Sequence, residues 1–271
     1  MHKVLVLGAS GYLGKAIVKE MGKNKELQVY GTYLSHPALE SDKMVKVDLG
    51  DASKIEEIVE TLQPKSIVSC LRGDFEKQLL FHEIIAKYVK NSGGRIYFFS
   101  TANVFDNDLK KPHCEEERPN SCTDYGQYKI ACENSLLAIG KEQVCILRLP
   151  QVWGKESPRM TALLNSLHQN EEITVYPNLF FNTNTDIKIA RQLCHIMKHD
   201  LKGIFHLAAG DVMSHEAFYN NLMRALNFKG VSVKSNFSEE GYFALLSKRE
   251  DEFPEGLRVT NQSVIEEMVH G

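Results

Sequence analysis

The stretch Lys3-Val-Leu-Val-Leu-Gly-Ala-Ser-Gly-Tyr-Leu-Gly14 constrains the fold of this chain more than any other. An apolar run, Val4 to Leu7, reads as a buried strand. It runs straight into Gly8, Gly11 and Gly14, and a helical apolar pattern follows at Leu13, Ile17, Val18 and Met21. Strand, glycine turn and helix, in that order, make a dinucleotide site in α/β proteins. Gly8 allows the tight turn, Gly11 puts no side chain in the way of a pyrophosphate, and Gly14 lets the helix pack close to the strand. Phosphates then sit at the helix N-terminus, where free N–H groups and the helix dipole favour anions. The spacing is GxxGxxG rather than GxGxxG, and for a lone match a glycine turn that binds nothing competes evenly. Its place at the head of an α/β pattern favours the cofactor.

That pattern is explicit. Strands are predicted near 3–7, 27–32, 44–47, 65–70, 95–99 and 143–149, and helices near 12–22, 52–61, 75–91 and 124–140. Strands separated by helices of this length imply βαβ units with right-handed crossovers, hence a doubly wound, parallel Rossmann-type sheet. After Arg148 the rhythm loosens, with Pro150, Pro158 and Pro177 among short elements. A helix near 185–198 and a strand near 203–207 resume it, and a helix over 214–227 starts at Ser214 as N-cap. The expected organisation is an α/β fold: a dinucleotide-binding domain over 1–149 with a return segment at 183–207. Residues 150–182 and 208–271 then form a smaller, mixed C-terminal substrate lobe.

Composition narrows the function classes. A chain of 271 residues, 43% hydrophobic and 25% charged, is an ordinary globular protein with ample core. A net charge of −3 with no long basic run points away from nucleic acid and from anionic membranes. No run is long enough to span a bilayer and no signal segment precedes the first strand. Six cysteines without a CxxC pair suit reduced thiols, so a cytoplasmic location is expected. His195 and His199 have a metal-pair spacing but no third ligand is evident, so no metal is expected.

Two further patterns carry chemistry. In Tyr125-Gly-Gln-Tyr-Lys129 the tyrosine and lysine share one face of a predicted helix. A nearby ammonium favours phenolate, so the tyrosine pKa is expected to fall toward the working range of a general acid. In Phe98-Phe-Ser-Thr-Ala-Asn-Val-Phe105 an apolar strand ends in two hydroxyls, at the strand end where open α/β sheets bind ligands. Capping alone would explain those hydroxyls equally well.

In this order and spacing, the three features resemble the extended short-chain dehydrogenase/reductase superfamily, and within it most resemble the dTDP-4-dehydrorhamnose reductase family. The likeness spans essentially the whole chain and includes Val47-Asp48-Leu49, Glu117-Arg-Pro-Asn120, Lys129 with Glu133, Leu147-Arg148 and Gly203-Ile-Phe-His-Leu-Ala-Ala209. It implies that Thr101 orients a substrate carbonyl, that Tyr125 is the acid, and that Lys129 is its partner and a ligand of the nicotinamide ribose. It implies cofactor contacts from Gly8, Ser10, Gly11, Tyr12, Leu13 and Gly14, with Asp48 and Leu49 bordering the adenine. Cys70, Leu71 and Arg72 would line the cofactor at the end of the fourth strand. Ala102, Gln151 and Trp153 fall at expected substrate positions.

The chain departs from the resemblance where specificity is set. Ala102 and Asn103 replace an aspartate and an aromatic residue, Gln151 stands where tryptophan is expected, and Cys70-Leu71-Arg72 replaces an Asn followed by small residues. Arg72 is thereby a candidate for holding a cofactor or substrate phosphate, against an ordinary solvated arginine. The second strand runs into Leu34-Ser35-His36 with no acid to accept from a ribose 2′-hydroxyl, and Ser35 and His36 can donate to a 2′-phosphate, so NADP(H) is favoured over NAD(H). The expected activity is NAD(P)H-dependent reduction of a nucleotide-linked keto-sugar. A nucleotide-sugar epimerase with the same triad and a non-catalytic NADP-binding regulatory subunit are the alternatives. Relatives of this kind commonly dimerise through the helices beside the tyrosine, and the sequence leaves a homodimer open.

Overall fold

A computed structural model describes residues 1–38 and 41–270. Seven parallel strands form its central sheet: β1 (His2–Leu7), β2 (Leu27–Tyr33), β3 (Met44–Lys46), β4 (Ser66–Ser69), β5 (Arg95–Thr101), β6 (Val144–Leu149) and, after four short strands of the lobe, β11 (Gly203–His206). Their order is β3-β2-β1-β4-β5-β6-β11, so the chain winds outward from β1 in both directions. The strand order reverses between β1 and β4, the place where such sheets open a crevice for ligands.

β1 and β6 are buried on both faces over most of their length, which is why their sequences are dominated by apolar residues. Side chains alternate with period two. Val4 and Val6 point to one core with Ile17, Met21, Ile189 and Leu193 from α1 (Tyr12–Met21) and α6 (Asp186–Lys198). Leu5 and Leu7 point to the other, with Ile55, Phe81, Ile85 and Cys132 from α2 (Ala52–Leu62), α3 (Phe75–Ser92) and α4 (Asp124–Leu137). The helix expected over 124–140 ends at Leu137, because Gly140 at φ +131° turns the chain toward β6. Asn227 (φ +61°) follows the helix expected over 214–227, which spans His215–Ala225.

The lobe is assembled from two- and three-residue strands. β7 (Gln151–Trp153) pairs with β10 (Thr183–Thr185), and β8 (Ile173–Val175) with β13 (Val233–Ser235). β9 (Leu179–Phe181) lies between β12 (Met213–Ser214) and β14 (Gly241–Phe243). Together with α5 (Pro158–His168), α7 (His215–Ala225) and α8 (Asn261–His270) they enclose a third core of Trp153, Phe181, Phe218, Leu222, Val264 and Ile265. Fully buried Asn182 ties this lobe together. Its Nδ2 donates to the carbonyls of Ala209 (2.8 Å) and Leu245 (2.6 Å), and its Oδ1 accepts from Leu245 N (3.2 Å).

Candidate active site

The glycine loop has the geometry of an anion cradle. Gly8 sits at φ +75°, and a Cβ there would come within 2.9 Å of the Cys70 carbonyl oxygen. At Gly14 a Cβ would lie 2.2 Å from the Gly8 carbonyl, so α1 packs on β1 only because that side chain is missing. Gly11 caps α1 without a side-chain hydrogen bond, which leaves the first-turn N–H groups to a ligand. Buried Thr32 pins the loop, its Oγ1 accepting from Gly8 N (3.0 Å) and its carbonyl from Ala9 N (3.0 Å). These features suit a dinucleotide pyrophosphate. Tyr12 points elsewhere: its hydroxyl meets Asp186 Oδ1 at 2.7 Å and the Trp153 carbonyl at 3.1 Å. Gly154 leaves room for that contact, since a Cβ there would lie 2.1 Å from the Tyr12 hydroxyl.

Thr101, Tyr125 and Lys129 come together at the C-terminal end of β5. The Thr101 hydroxyl caps the short turn that follows, donating to Asn103 Oδ1 (3.0 Å) and accepting from Asn103 N (3.3 Å). Thr123 caps α4 through Gly126 N, placing Tyr125 in the first turn. Gly126 is required for this approach, as a Cβ would sit 2.0 Å from Ser121 Oγ and 2.4 Å from the Asn103 carbonyl. Tyr125 is 38% exposed, whereas Lys129, one turn on, is buried.

Burial raises the Tyr125 pKa above its ordinary value, while the Thr101 hydroxyl and the Arg72 guanidinium pull it back. This corrects the expectation of a tyrosine lowered by its lysine. The reason is geometric: the Lys129 ammonium donates to the Phe99 carbonyl (2.9 Å), sits 4.6 Å from the Phe98 ring centre and stays 6.0 Å from that of Tyr125. The lysine is itself pulled down to about 8, chiefly by burial.

Beneath the triad lies a buried polar frame. Ser100 is buried and donates to Glu133 Oε1 (2.5 Å). Arg148 grips the same carboxylate with Nε (3.0 Å) and Nη2 (2.7 Å), and both partners are almost fully buried. On α3, buried Gln78 accepts from the Tyr128 hydroxyl (2.9 Å) and donates to the Gly73 carbonyl (2.8 Å). His82 Nε2 meets Ser69 Oγ at 2.7 Å, and burial pushes its pKa to about 3, so it stays neutral. None of these roles was assigned from the sequence. Their partners lie up to fifty residues apart, and only the Lys129–Glu133 spacing hinted at one.

The remaining predicted residues divide. Ser10, Leu13, Cys70, Leu71 and Gln151 are half-buried, while Ser35, Asp48 and Arg72 are exposed. Asp48 accepts from Gly50 N (2.8 Å), and Leu49 lies against Gly73. Ala102 and Trp153 are corrections as direct substrate contacts. Ala102 is packed with Val104, Phe105 and Leu245, and Trp153 is fully buried against Phe218 and Tyr219. In the lobe, a group absent from the sequence reading surrounds His215, which stacks on Tyr219 (4.3 Å, 14°) and meets Tyr176 edge-on (5.1 Å). Exposed Arg159 acts on both His215 and Tyr219. Four residues scattered over sixty positions leave no motif.

A family model described as "NAD dependent epimerase/dehydratase family" matches residues 4–199. The chain belongs to this family. The chain is similar to methionine adenosyltransferase 2 subunit beta of Danio rerio, at 27% identity over 79% of this chain and 70% of that protein. It is also similar to a dTDP-4-keto-6-deoxy-D-glucose reductase of Streptomyces niveus, at 22% identity over 74% of this chain and 71% of that one. The fold matches a dTDP-4-dehydrorhamnose reductase from Bacillus anthracis in complex with NADP, with a TM-score of 0.82, 18% identity, and coverage of 99% of this chain and 98% of the other.

Proposed function

We propose that the protein is an NADP(H)-dependent reductase of a nucleotide-linked keto-sugar. The observation that carries this reading is the convergence of Thr101, Tyr125 and Lys129 at one strand end, two strands from an uncapped glycine-loop helix in the sheet order. Gly8, Gly11 and Gly14 with the first turn of α1 would hold the cofactor pyrophosphate, Lys129 the nicotinamide ribose, and Ser35 with His36 the 2′-phosphate. The chemistry that NADPH would supply when bound is a hydride for the substrate carbonyl carbon. Thr101 donates a hydrogen bond to the carbonyl oxygen and fixes its position. Tyr125, neutral because burial holds its pKa up, gives its proton to that oxygen as it becomes an alkoxide. Lys129 keeps its charge at neutral pH and stabilises the tyrosinate as it forms. The lobe group of Arg159, Tyr176, His215 and Tyr219 offers a cation and stacked rings to the nucleoside diphosphate. Residues 1–149 with 183–207 form the cofactor unit of this reading, and the rest of the chain the substrate lobe.

The test follows NADPH absorbance against a panel of nucleotide-linked 4-keto sugars. One equivalent consumed per product supports a reductase, whereas turnover without net consumption indicates an epimerase. Tyr125→Phe is expected to lower single-turnover hydride transfer about 10²–10⁴-fold with little change in NADPH affinity. No turnover of any carbonyl by protein with bound cofactor overturns the proposal. A second reading, a cofactor-binding partner of another enzyme, is favoured by the likeness to a protein named as a subunit. Co-purification with an enzyme whose kinetics it alters, without hydride transfer of its own, would support it.

A further inference from the structure

Arg72 sits on the loop between β4 and α3, and that loop is pinned on every side. Cys70 N donates to the Leu7 carbonyl (2.9 Å), which ties the loop to the glycine turn. Its carbonyl at Cys70 closes over Gly8. Buried Gln78 holds the Gly73 carbonyl (2.8 Å), and Asp74 caps α3 by accepting from Lys77 N (3.0 Å). Phe75 then packs on the triad side, 5.8 Å from the Tyr125 ring and stacked on Tyr128 at 4.9 Å. The backbone is fixed, yet the Arg72 side chain is exposed, and no carboxylate among the described residues is paired with it.

Its charge is directed. In the sheet order β4 lies between β1, with the glycine turn, and β5, with Thr101. Tyr125 and Lys129, both on the β5 side, feel the Arg72 guanidinium, which favours the phenolate of the one and disfavours the ammonium of the other. Two cations therefore border the place where the reacting carbonyl must sit. The pyrophosphate has its own N–H donors at α1, on the other side of β4. An exposed guanidinium on a pinned loop, with no carboxylate partner among the described residues and on the side of a buried ammonium, is best satisfied by an oxyanion, and a guanidinium matches a planar carboxylate bidentately.

Resting on the reductase reading above, we propose that Arg72 selects a substrate bearing a carboxylate one carbon removed from the reacting carbonyl, so that the substrate class is an acidic, nucleotide-linked keto-sugar. A neutral 6-deoxy or 6-hydroxy keto-sugar leaves the guanidinium without a partner and is the poorer substrate.

The experiment compares two nucleotide-linked 4-keto hexoses that differ only at C6, carboxylate against methyl, with wild type, Arg72→Gln and Arg72→Lys. Wild type is expected to favour the acid. In Arg72→Gln, kcat/KM for the acid is expected to fall about 10–100-fold further than that for the neutral sugar, mostly through KM. Arg72→Lys is expected to recover only part of the loss, as a point charge cannot bond both oxygens. The same pair titrated calorimetrically into the NADP-loaded proteins reads the guanidinium without turnover. An Arg72-dependent preference in binding without turnover keeps this proposal and removes the reductase reading. Equal losses for both sugars overturn the proposal. So does a loss matched by weakened NADPH affinity, which would assign the guanidinium to a cofactor phosphate.

Discussion

Replacing the buried lysine of the triad is expected to make the protein more stable while removing its activity. Lys129 lies among Phe98, Tyr125 and Tyr128, and burial draws its pKa from 10.5 to about 8. Keeping the ammonium charged there costs the folded state about 3 kcal/mol at neutral pH. Lys129→Met removes that cost and fills the same space, but gives up the hydrogen bond to the Phe99 carbonyl, worth about 1 kcal/mol. The net expectation at pH 7 is a gain of about 2 kcal/mol, or a rise of about 4–8 °C in Tm for a chain of this size. The sign with pH is fixed. Between about pH 8 and 10.5 the unfolded lysine binds more protons than the folded one, so wild-type stability climbs over that range. By about pH 9.5 roughly 2 kcal/mol of the cost is recovered and the advantage of Lys129→Met nearly closes. Denaturant melts of both proteins at the two pH values check this, and the comparison cancels other titrating groups. A variant less stable than wild type at pH 7, or a gap that does not shrink with pH, refutes the assignment of the lowered pKa to burial.

Two further changes probe the frame. Gly14→Ala drives a Cβ into backbone, 2.2 Å from the Gly8 carbonyl and 2.8 Å from Ala9 Cα, so α1 must back away from β1. NADPH affinity is expected to drop and stability to fall by about 1–3 kcal/mol, read by fluorescence titration and thermal melts. Arg148→Met leaves Glu133 buried without its cation and is expected to cost about 3–5 kcal/mol, whereas adding Glu133→Gln restores much of it, measured by urea denaturation.

What the sequence reveals about this molecule is what depends on near neighbours. The apolar runs Val4–Leu7 and Val144–Leu147 announce buried strands because both faces of the sheet are covered there. The glycine turn and the Tyr125–Lys129 pair are legible because three- and four-residue spacings set their geometry directly. The direction of the Tyr125 pKa was not legible. It depends on where Lys129 sends its ammonium, which is decided by the Phe99 carbonyl on a strand thirty residues upstream. Trp153 illustrates the same limit: the resemblance puts it at a substrate position, but the three-residue strands of the lobe fold over it and bury the ring completely. Such short strands carry too few alternations to show a period, and α8 went unpredicted because its apolar positions span little more than one turn.

The hydroxyl of Tyr12 gives the chain an unusual seam. It fastens the phosphate loop near the N-terminus to the carbonyl of Trp153 and to the carboxylate of Asp186, across more than 140 residues. Gly154 is the vacancy that lets the three groups meet. A C-terminal lobe transplanted from a relative, residues 150–182 with 208–271, would bring its own counterparts of residues 153 and 154 but leave positions 12 and 186 behind in the host. Any such chimera therefore has to match the Tyr12–Asp186 pair of the host to the incoming residues 153 and 154. The natural cut between β6 and β7, though clean in sequence, runs straight through this joint.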